Sequence, residues 1–231
     1  MTTADEVAAF RRHGSWRTLA DTALRCLDSI APHYPVATPW ALGGGTRLML
    51  AFEHRISDDI DIFVADPNIL ALLSPRLNDT VAAEATHYDE DHSSLKLSFP
   101  GLGEIDFICS SPVIGGDIEA YADDAQLRLE PVGEVIAKKL YHRGARITPR
   151  DVFDWWYVGA HAPERLPLPQ LASALSGKLD GIQRALDGYA HGGALKALSP
   201  MASWERIRSP TRPPLDEALA WAKRFVERLR R

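Results

Sequence analysis

The sequence predicts an α/β or α+β core followed by a helical C-terminal domain, and the pattern of apolar residues indicates this fold class. In the first half of the chain, short alternating or β-branched segments interleave with segments of helical spacing. After Gly115-Gly116 the spacing is mostly helical. We therefore predict a core with an N-terminal helix over residues 1–130 and a helical domain over 131–231.

Each predicted element has a local signal in the sequence. Asp66-Pro67 combines an N-cap residue with a proline in the first helical turn, and Pro100-Gly101 marks a turn between two strands. The predicted strands are 40–42, 59–64, 94–99 and 103–109. The predicted helices are 5–30 with an interruption near Gly14, 46–52, 67–73, 117–125, 132–143, 149–160, 167–190 with an interruption near Gly177, and 214–230.

Composition places the chain among ordinary globular proteins. Of its 231 residues, 45% are hydrophobic and 25% are charged. No apolar run approaches the roughly 20 residues of a membrane span, and the N-terminus lacks a basic and then apolar signal. Cys26 and Cys109 are isolated, as expected of reduced thiols. We expect a cytoplasmic protein with no membrane partner.

The formal net charge of −5 hides two halves of opposite sign. Residues 1–131 carry 9 Lys and Arg against 21 Asp and Glu, whereas residues 132–231 carry 17 against 10. An acidic half suits a divalent cation, and a basic half with a cluster over 138–150 suits phosphates. A solvated helix face is the alternative interpretation of that cluster.

Two aspartates in the 59–64 segment are the strongest candidates for chemistry. Asp59 and Asp61 stand two apart, so on a strand they share one face while Ile60 and Ile62 take the other. Adjacent carboxylates repel each other unless a cation lies between them, and Mg²⁺ prefers oxygen ligands. Asp106, in a strand pattern of its own, is the candidate third ligand and the candidate base for an attacking hydroxyl.

A glycine turn precedes this acid pair. Gly44-Gly45-Thr46 opens a predicted helix, and backbone N–H groups at a helix start can bind phosphate. The turn is not a P-loop, because no Gly-Lys-Ser/Thr follows it. An isolated Asp-x-Asp is more often an exposed strand face. The conjunction of turn, acid pair and third acid predicts metal-dependent nucleotidyl transfer.

A second polar cluster is a weaker candidate. His87, Asp89, Asp91 and His92 have the residue types of a metal site, but we place them in a polar connection between strands. We assign no metal to them.

Four blocks of sequence resemble the AbiEii/AbiGii nucleotidyltransferase toxin family, within the DNA polymerase β-like superfamily. The resemblance extends over about residues 40–156, and the first two blocks in series are specific. The blocks are Gly44-Gly45-Thr46-x-Leu48, Arg55-x-Ser57-x-Asp59-Ile60-Asp61-Ile62-Phe63, Lys139-Leu140 and Arg150-Asp151-Val152-Phe153-Asp154.

The resemblance implies a polymerase β-like core with a mixed sheet and a role for each matched residue. Asp59 and Asp61 would bind Mg²⁺, or Mn²⁺ in its place, and Gly44, Gly45 and Ser57 would contact the phosphates of an NTP. Lys139 would meet the triphosphate. An acid of the last block, Asp151 or Asp154, would complete the site, and the other would be a cap or salt-bridge partner.

The resemblance also implies a biological role, with alternatives that the sequence leaves open. The protein would be a bacterial toxin that transfers NMP from an NTP to an RNA acceptor such as the tRNA 3′ end, opposed by a cognate antitoxin. The adjacent Lys138 is the alternative to Lys139, which we prefer because the family lysine precedes an aliphatic residue. A nucleotidyltransferase acting on a small molecule or protein, and a non-catalytic NTP-binding protein, are the alternative functions.

Overall fold

The computed structural model describes residues 2–33, 39–190 and 200–231, and the chain divides into two compact units. The sheet unit comprises Asp5–Ser111 and Asp117–Glu130. The helical unit comprises Pro112–Gly116 and Pro131–Arg231 together with the first residues of the chain.

The regular elements alternate before residue 130 and are helical after it. The helices are α1 (Ala4–His13), α2 (Trp16–Ile30), α3 (Gly44–Phe52), α4 (Pro67–Leu73), α5 (Asp79–Glu84), α6 (Val132–Arg143), α7 (Pro149–His161), α8 (Leu168–Leu175), α9 (Leu179–Ala190), α10 (Pro200–Glu205) and α11 (Leu215–Leu229). The strands are β1 (Trp40–Leu42), β2 (Ile60–Val64), β3 (His87–Glu90), β4 (Ser94–Phe99), β5 (Gly103–Cys109), β6 (Glu119–Tyr121) and β7 (Asp124–Leu129).

The sheet unit is built on one mixed sheet. In the described part of the chain, seven strands follow the order β3-β4-β5-β2-β1-β7-β6. The pairs β2–β5 and β1–β7 are parallel, and the remaining neighbours are antiparallel. The predicted α/β architecture with a mixed sheet is confirmed.

Alternation along the two central strands separates an apolar face from a polar one. Ile60 and Ile62 of β2, with Ile105 and Phe107 of β5, are buried in the core that includes the apolar side of α2. Helix α2 supplies that side because its apolar residues recur every three or four positions. The carboxylates of these strands therefore lie on the face that is turned away from the α2 core.

Two predictions for the sheet unit are wrong. The predicted helix over 117–125 is a hairpin of β6 and β7, in which Tyr121 pairs with Asp124 around a two-residue connection. Burial of Leu127 and Leu129 and pairing of Leu129 with Leu42 override the helix-forming composition of this segment. The predicted polar connection at His87 is instead strand β3 at the sheet edge, where its side chains are mostly exposed.

The helical unit packs around aromatic side chains. The ring of Trp155 lies 5.6 Å from that of Trp221 and 5.3 Å from that of Phe225, and Phe153 lies 5.9 Å from both Trp156 and Trp204. Trp155 and Trp156 are buried, so they are packing residues of this unit. None of the helices in the described residues has the length and apolarity of a membrane span.

Candidate active site

The glycine turn lies directly against the carboxylate of Asp61. Gly44 has φ +62°, and a Cβ atom there would collide with the Asp61 side chain. The preceding Gly43 donates its N–H to the carbonyl of Asp61 at 2.9 Å. A Cβ atom at Gly45 would meet the side chains of Arg55 and Ser57. The structure therefore brings Gly44, Gly45, Ser57 and Asp61 together, because only glycine allows the backbone so close.

Thr46 forms a hydrogen bond through its hydroxyl within the sheet unit. Its side chain is fully buried, and its hydroxyl donates to the carbonyl of Asp59 at 2.5 Å. This bond ties the start of α3 to the entry of β2. Since the hydroxyl is occupied there, any contact of Thr46 with a nucleotide is expected through its main chain.

The strand register places Asp106 beside Asp61. The two residues are Cα partners across the parallel β2–β5 pair. Burial raises the pKa of Asp106 to about 6, and the negative charge of Asp61 adds to this effect while the nearby Lys96 ammonium opposes it. A carboxyl group with a pKa near 6 can accept a proton at neutral pH.

Asp59 makes a contact that its spacing does not reveal. It precedes β2, and its Oδ1 accepts a hydrogen bond from the backbone N–H of Glu104 at 3.2 Å. Burial raises the pKa of Asp59, and repulsion from Glu104 and Asp61 adds to the shift that the hydrogen bond opposes. Asp59 therefore caps the start of β5 through the Glu104 N–H.

The three predicted metal ligands, Asp59, Asp61 and Asp106, lie on or directly before the central strands β2 and β5. In residues 2–33, 39–190 and 200–231, no group of three or more His, Cys, Asp or Glu side chains has the arrangement of a metal site. The donor chemistry nevertheless fits Mg²⁺, because Asp61 and Asp106 are neighbouring oxygen donors whose mutual repulsion a cation would relieve.

Lys139 and the two aspartates of α7 form an ion cluster in the helical unit. The Nζ of Lys139 lies 2.8 Å from Oδ1 of Asp151 and 3.3 Å from Oδ2 of Asp154. Both carboxylates are buried, and 11% of the Lys139 side chain is exposed. The sequence left open whether Asp151 or Asp154 is the salt-bridge partner. In the structure, both carboxylates form an ion pair with Lys139.

Asp151 is also the cap of α7. It forms a capping box with Thr148, in which each side chain bonds the backbone N–H of the other. Burial alone would raise the pKa of Asp151, but the charges of Lys139 and Arg143, with hydrogen bonds from Lys139 and Thr148, lower it below its usual value. Lys138 is buried near Glu134 instead, 3.8 Å from its Oε1.

Sequence reasoning missed two charged residues beside Asp106, namely Lys96 and Glu104. Lys96 is the Cα partner of Asp106 on β4, and its Nζ lies 3.5 Å from Oδ2 of Asp106 and 2.8 Å from Oε2 of Glu104. The signal was the alternation Leu95-Lys96-Leu97, which puts Lys96 on the face opposite the core. Recognising it required knowing that β4 pairs with β5.

A family model matches most of the chain. The sequence profile described as "Nucleotidyl transferase AbiEii toxin, Type IV TA system" matches residues 25–228. Among solved structures, MenT4, a nucleotidyltransferase toxin from Mycobacterium tuberculosis, is 15% identical and aligns over 99% of this chain and 90% of its own, with a TM-score of 0.52. That likeness shows a shared fold.

A second solved structure is similar over most of its length. JHP933 from Helicobacter pylori is 18% identical over 91% of this chain and 89% of its own, with a TM-score of 0.49. No protein of curated function matches the sequence.

Proposed function

This chain belongs to the AbiEii family of nucleotidyltransferase toxins, and on that premise we propose that it transfers NMP from an NTP to an RNA acceptor, with the 3′ end of tRNA as the preferred site. The family establishes nucleotidyl transfer as the chemistry. The RNA acceptor, the metal and the cognate antitoxin belong to the proposal.

The contact between the glycine turn and Asp61 is the observation that carries the proposal. A turn that exposes backbone N–H groups suits the phosphates of a nucleotide, and the collision that any side chain at Gly44 would cause shows how close that backbone is to the carboxylate. Phosphates bound at Gly44 and Gly45 would therefore lie beside Asp61. This is the donor side of the proposed site.

The proposed cation is Mg²⁺, with Mn²⁺ as a substitute, and Asp59, Asp61 and Asp106 are its proposed ligands. Bound there, it would neutralise charge on the carboxylates and on the phosphates of the NTP. Asp61 and Asp106 are neighbours in the register, and Asp59 borders them at the start of β2.

The transfer step forms one bond and breaks one. An acceptor hydroxyl oxygen attacks the α-phosphorus of the NTP and forms a new P–O bond. The bond from that phosphorus to the oxygen bridging to the β-phosphate breaks, and pyrophosphate leaves with the electron pair. Asp106, with a pKa raised to about 6, takes the proton of the hydroxyl.

The helical unit offers positive charge of its own. Lys139 is its proposed phosphate-binding residue, on the family resemblance alone, and Asp151 and Asp154 hold the Lys139 ammonium in place. The exposed Arg146 and Arg150 contact the RNA backbone, where binding depends on charge and not on base sequence.

A labelling experiment tests the function. Purified protein is incubated with Mg²⁺, total tRNA and each α-³²P-labelled NTP in turn, beside Asp61→Asn, and label in RNA is followed on a gel. We expect label from at least one NTP with the wild type and none with the variant. Label entering a small molecule or a protein, with none in RNA, would contradict the proposed acceptor.

A further inference from the structure

An open cleft lies at the end of the sheet where β2 and β5 begin. It has a volume of about 680 Å³, within the range of roughly 300–1,000 Å³ that small-molecule sites occupy. The residues that line it belong to the sheet unit and come from α1, the start of α2, the approach to β2 and the β4–β5 turn. They include Phe10, Ser15, Asp59, Ser98, Phe99 and Leu102.

Asp59 lines this cleft, whereas Asp61 faces the glycine turn. A side chain at Gly44 would strike Asp61, while Oδ1 of Asp59 accepts from the Glu104 N–H in the cleft wall. Asp59 thus borders the cleft and is also a proposed ligand of the cation, together with Asp61 and Asp106. We propose that the cleft binds the terminal nucleoside of the acceptor, so that the acceptor lies next to the proposed metal ligands. This inference rests on the proposed nucleotidyl transfer to RNA.

The lining of the cleft favours a nucleoside over a phosphate. Phe10, Phe99 and Leu102 offer apolar surface for a planar base, and aromatic rings stack on bases without sequence preference. The acidic groups Asp59 and Glu104 repel phosphate but accept hydrogen bonds from the hydroxyls of a ribose. Glu104 is held in place by Lys96, at 2.8 Å, and by the Ser98 hydroxyl, at 3.3 Å.

Ser15 is the position at which the cleft can be filled with least disturbance. It stands at the N-cap of α2 but makes no side-chain cap hydrogen bond. A phenylalanine there would occupy the cleft without removing a cap. Thr18, on the same helix, is exposed and does not line the cleft, so Thr18→Phe is the matched control.

The experiment compares the wild type, Ser15→Phe, Ser98→Phe and Thr18→Phe in steady-state transfer to tRNA. It also measures binding of a 5′-fluorescein single-stranded RNA tetranucleotide by anisotropy and binding of NTP by calorimetry. We expect both cleft variants to raise the KM for tRNA and the Kd for the tetranucleotide at least tenfold, with NTP affinity changed less than twofold. Thr18→Phe should behave as the wild type in all three measurements.

The outcomes separate the cleft from the proposed function. Wild-type transfer to tRNA that neither cleft variant weakens would overturn the acceptor assignment and leave the function standing. Equal weakening of NTP binding by the cleft variants would overturn it too, because the cleft would then serve the donor. If the wild-type protein transfers label only to a small molecule or a protein, and not to RNA, the proposed function itself is contradicted.

Discussion

The two charged clusters of this chain are built on opposite principles. In the sheet unit, Asp61 and Asp106 place like charges side by side, and the pKa of Asp106 rises to about 6. In the helical unit, Asp151 and Asp154 surround Lys139 at 2.8 and 3.3 Å, and the pKa of Asp151 falls. Lys96, 3.5 Å from Asp106, offsets the charge of the first cluster only in part, so a bound cation would stabilise it, whereas the second cluster is already compensated.

This difference separates a binding role from a positioning role. A carboxyl group with a raised pKa at a half-buried surface, such as that of Asp106, is expected where a ligand completes the charge balance. A buried cluster with opposite charges and a capping box fixes the conformation of its own helices. We therefore propose a chemical role for Asp61 and Asp106, and for Asp151 and Asp154 the role of orienting Lys139.

The largest expected effect on stability comes from breaking the compensated cluster. Asp154→Ala removes a fully buried partner of Lys139. Loss of one member of a buried pair costs about 3–5 kcal/mol, and because Asp151 still pairs with Lys139 we expect the lower end of this range. Urea unfolding at pH 7 measures the free energy of unfolding. The control is Asp180→Ala, whose ion pair with Arg230 is exposed and whose loss should cost less than about 1 kcal/mol. Equal costs would show that burial does not distinguish the pairs.

The next effect concerns the close approach at the glycine turn. Gly44→Ala adds a left-handed backbone cost of about 1–2 kcal/mol and also a collision with Asp61. Gly115→Ala carries the backbone cost alone, since φ is +71° and nothing lies within 4 Å of the added atom. We expect Gly44→Ala to unfold at lower urea concentration than Gly115→Ala and to lose transfer activity more than tenfold. Similar midpoints would mean that Asp61 moves aside freely.

The two clusters should also respond to pH with opposite sign. The folded pKa of Asp106 is raised, so its contribution to stability is present below the unfolded value of about 3.9 and is lost as the pH rises through about 6. The folded pKa of Asp151 is lowered, so its contribution is present above about 3.9 and is lost as the pH falls through the folded value.

Urea midpoints from pH 3 to 8 in EDTA test these signs in Asp106→Asn and Asp151→Asn. In Asp106→Asn, the urea midpoint should no longer fall as the pH rises from about 4 to 6. In Asp151→Asn, it should no longer fall as the pH drops below about 4. Parallel profiles for the two variants would contradict the comparison.

The smallest effect separates two helix caps. Thr148→Ala removes the capping box of α7 and should cost about 1 kcal/mol. Ser15→Ala should cost much less, because the Ser15 side chain makes no cap hydrogen bond to α2. Thermal unfolding of both variants measures the difference, and an equal loss would show that the capping box contributes little.

Local pattern was sufficient for most of the fold and for part of the site. The apolar alternation and the glycine signals predicted β2, β4 and β5, and the register of β2 with β5 brings Asp106 beside Asp61 as the strand pattern suggested. The segment over 117–125 was missed because its strands exist only through pairing with β1 and with each other. Pairing with a strand that is distant in the sequence leaves no signature within the segment itself.

Contacts with neighbouring strands were the second limit. Parity predicts that Asp59 and Asp61 share a face, but it does not reveal the hydrogen bond that Asp59 accepts from the Glu104 amide. The role of Lys96 depends in the same way on a neighbouring strand. A sequence reveals which residues carry charge on a face, while the partner of each charge depends on tertiary structure.

The most direct test of the central claim compares the rate of label transfer by Asp61→Asn with that of Asp89→Asn under identical folding controls. Asp89 is an exposed aspartate on β3, and its Cα partner is Lys96. We predict that Asp61→Asn slows transfer at least about 10³-fold, as loss of a principal electrostatic group does, and that Asp89→Asn changes it less than about twofold. A folded Asp61→Asn protein that transfers label at the wild-type rate would contradict the account.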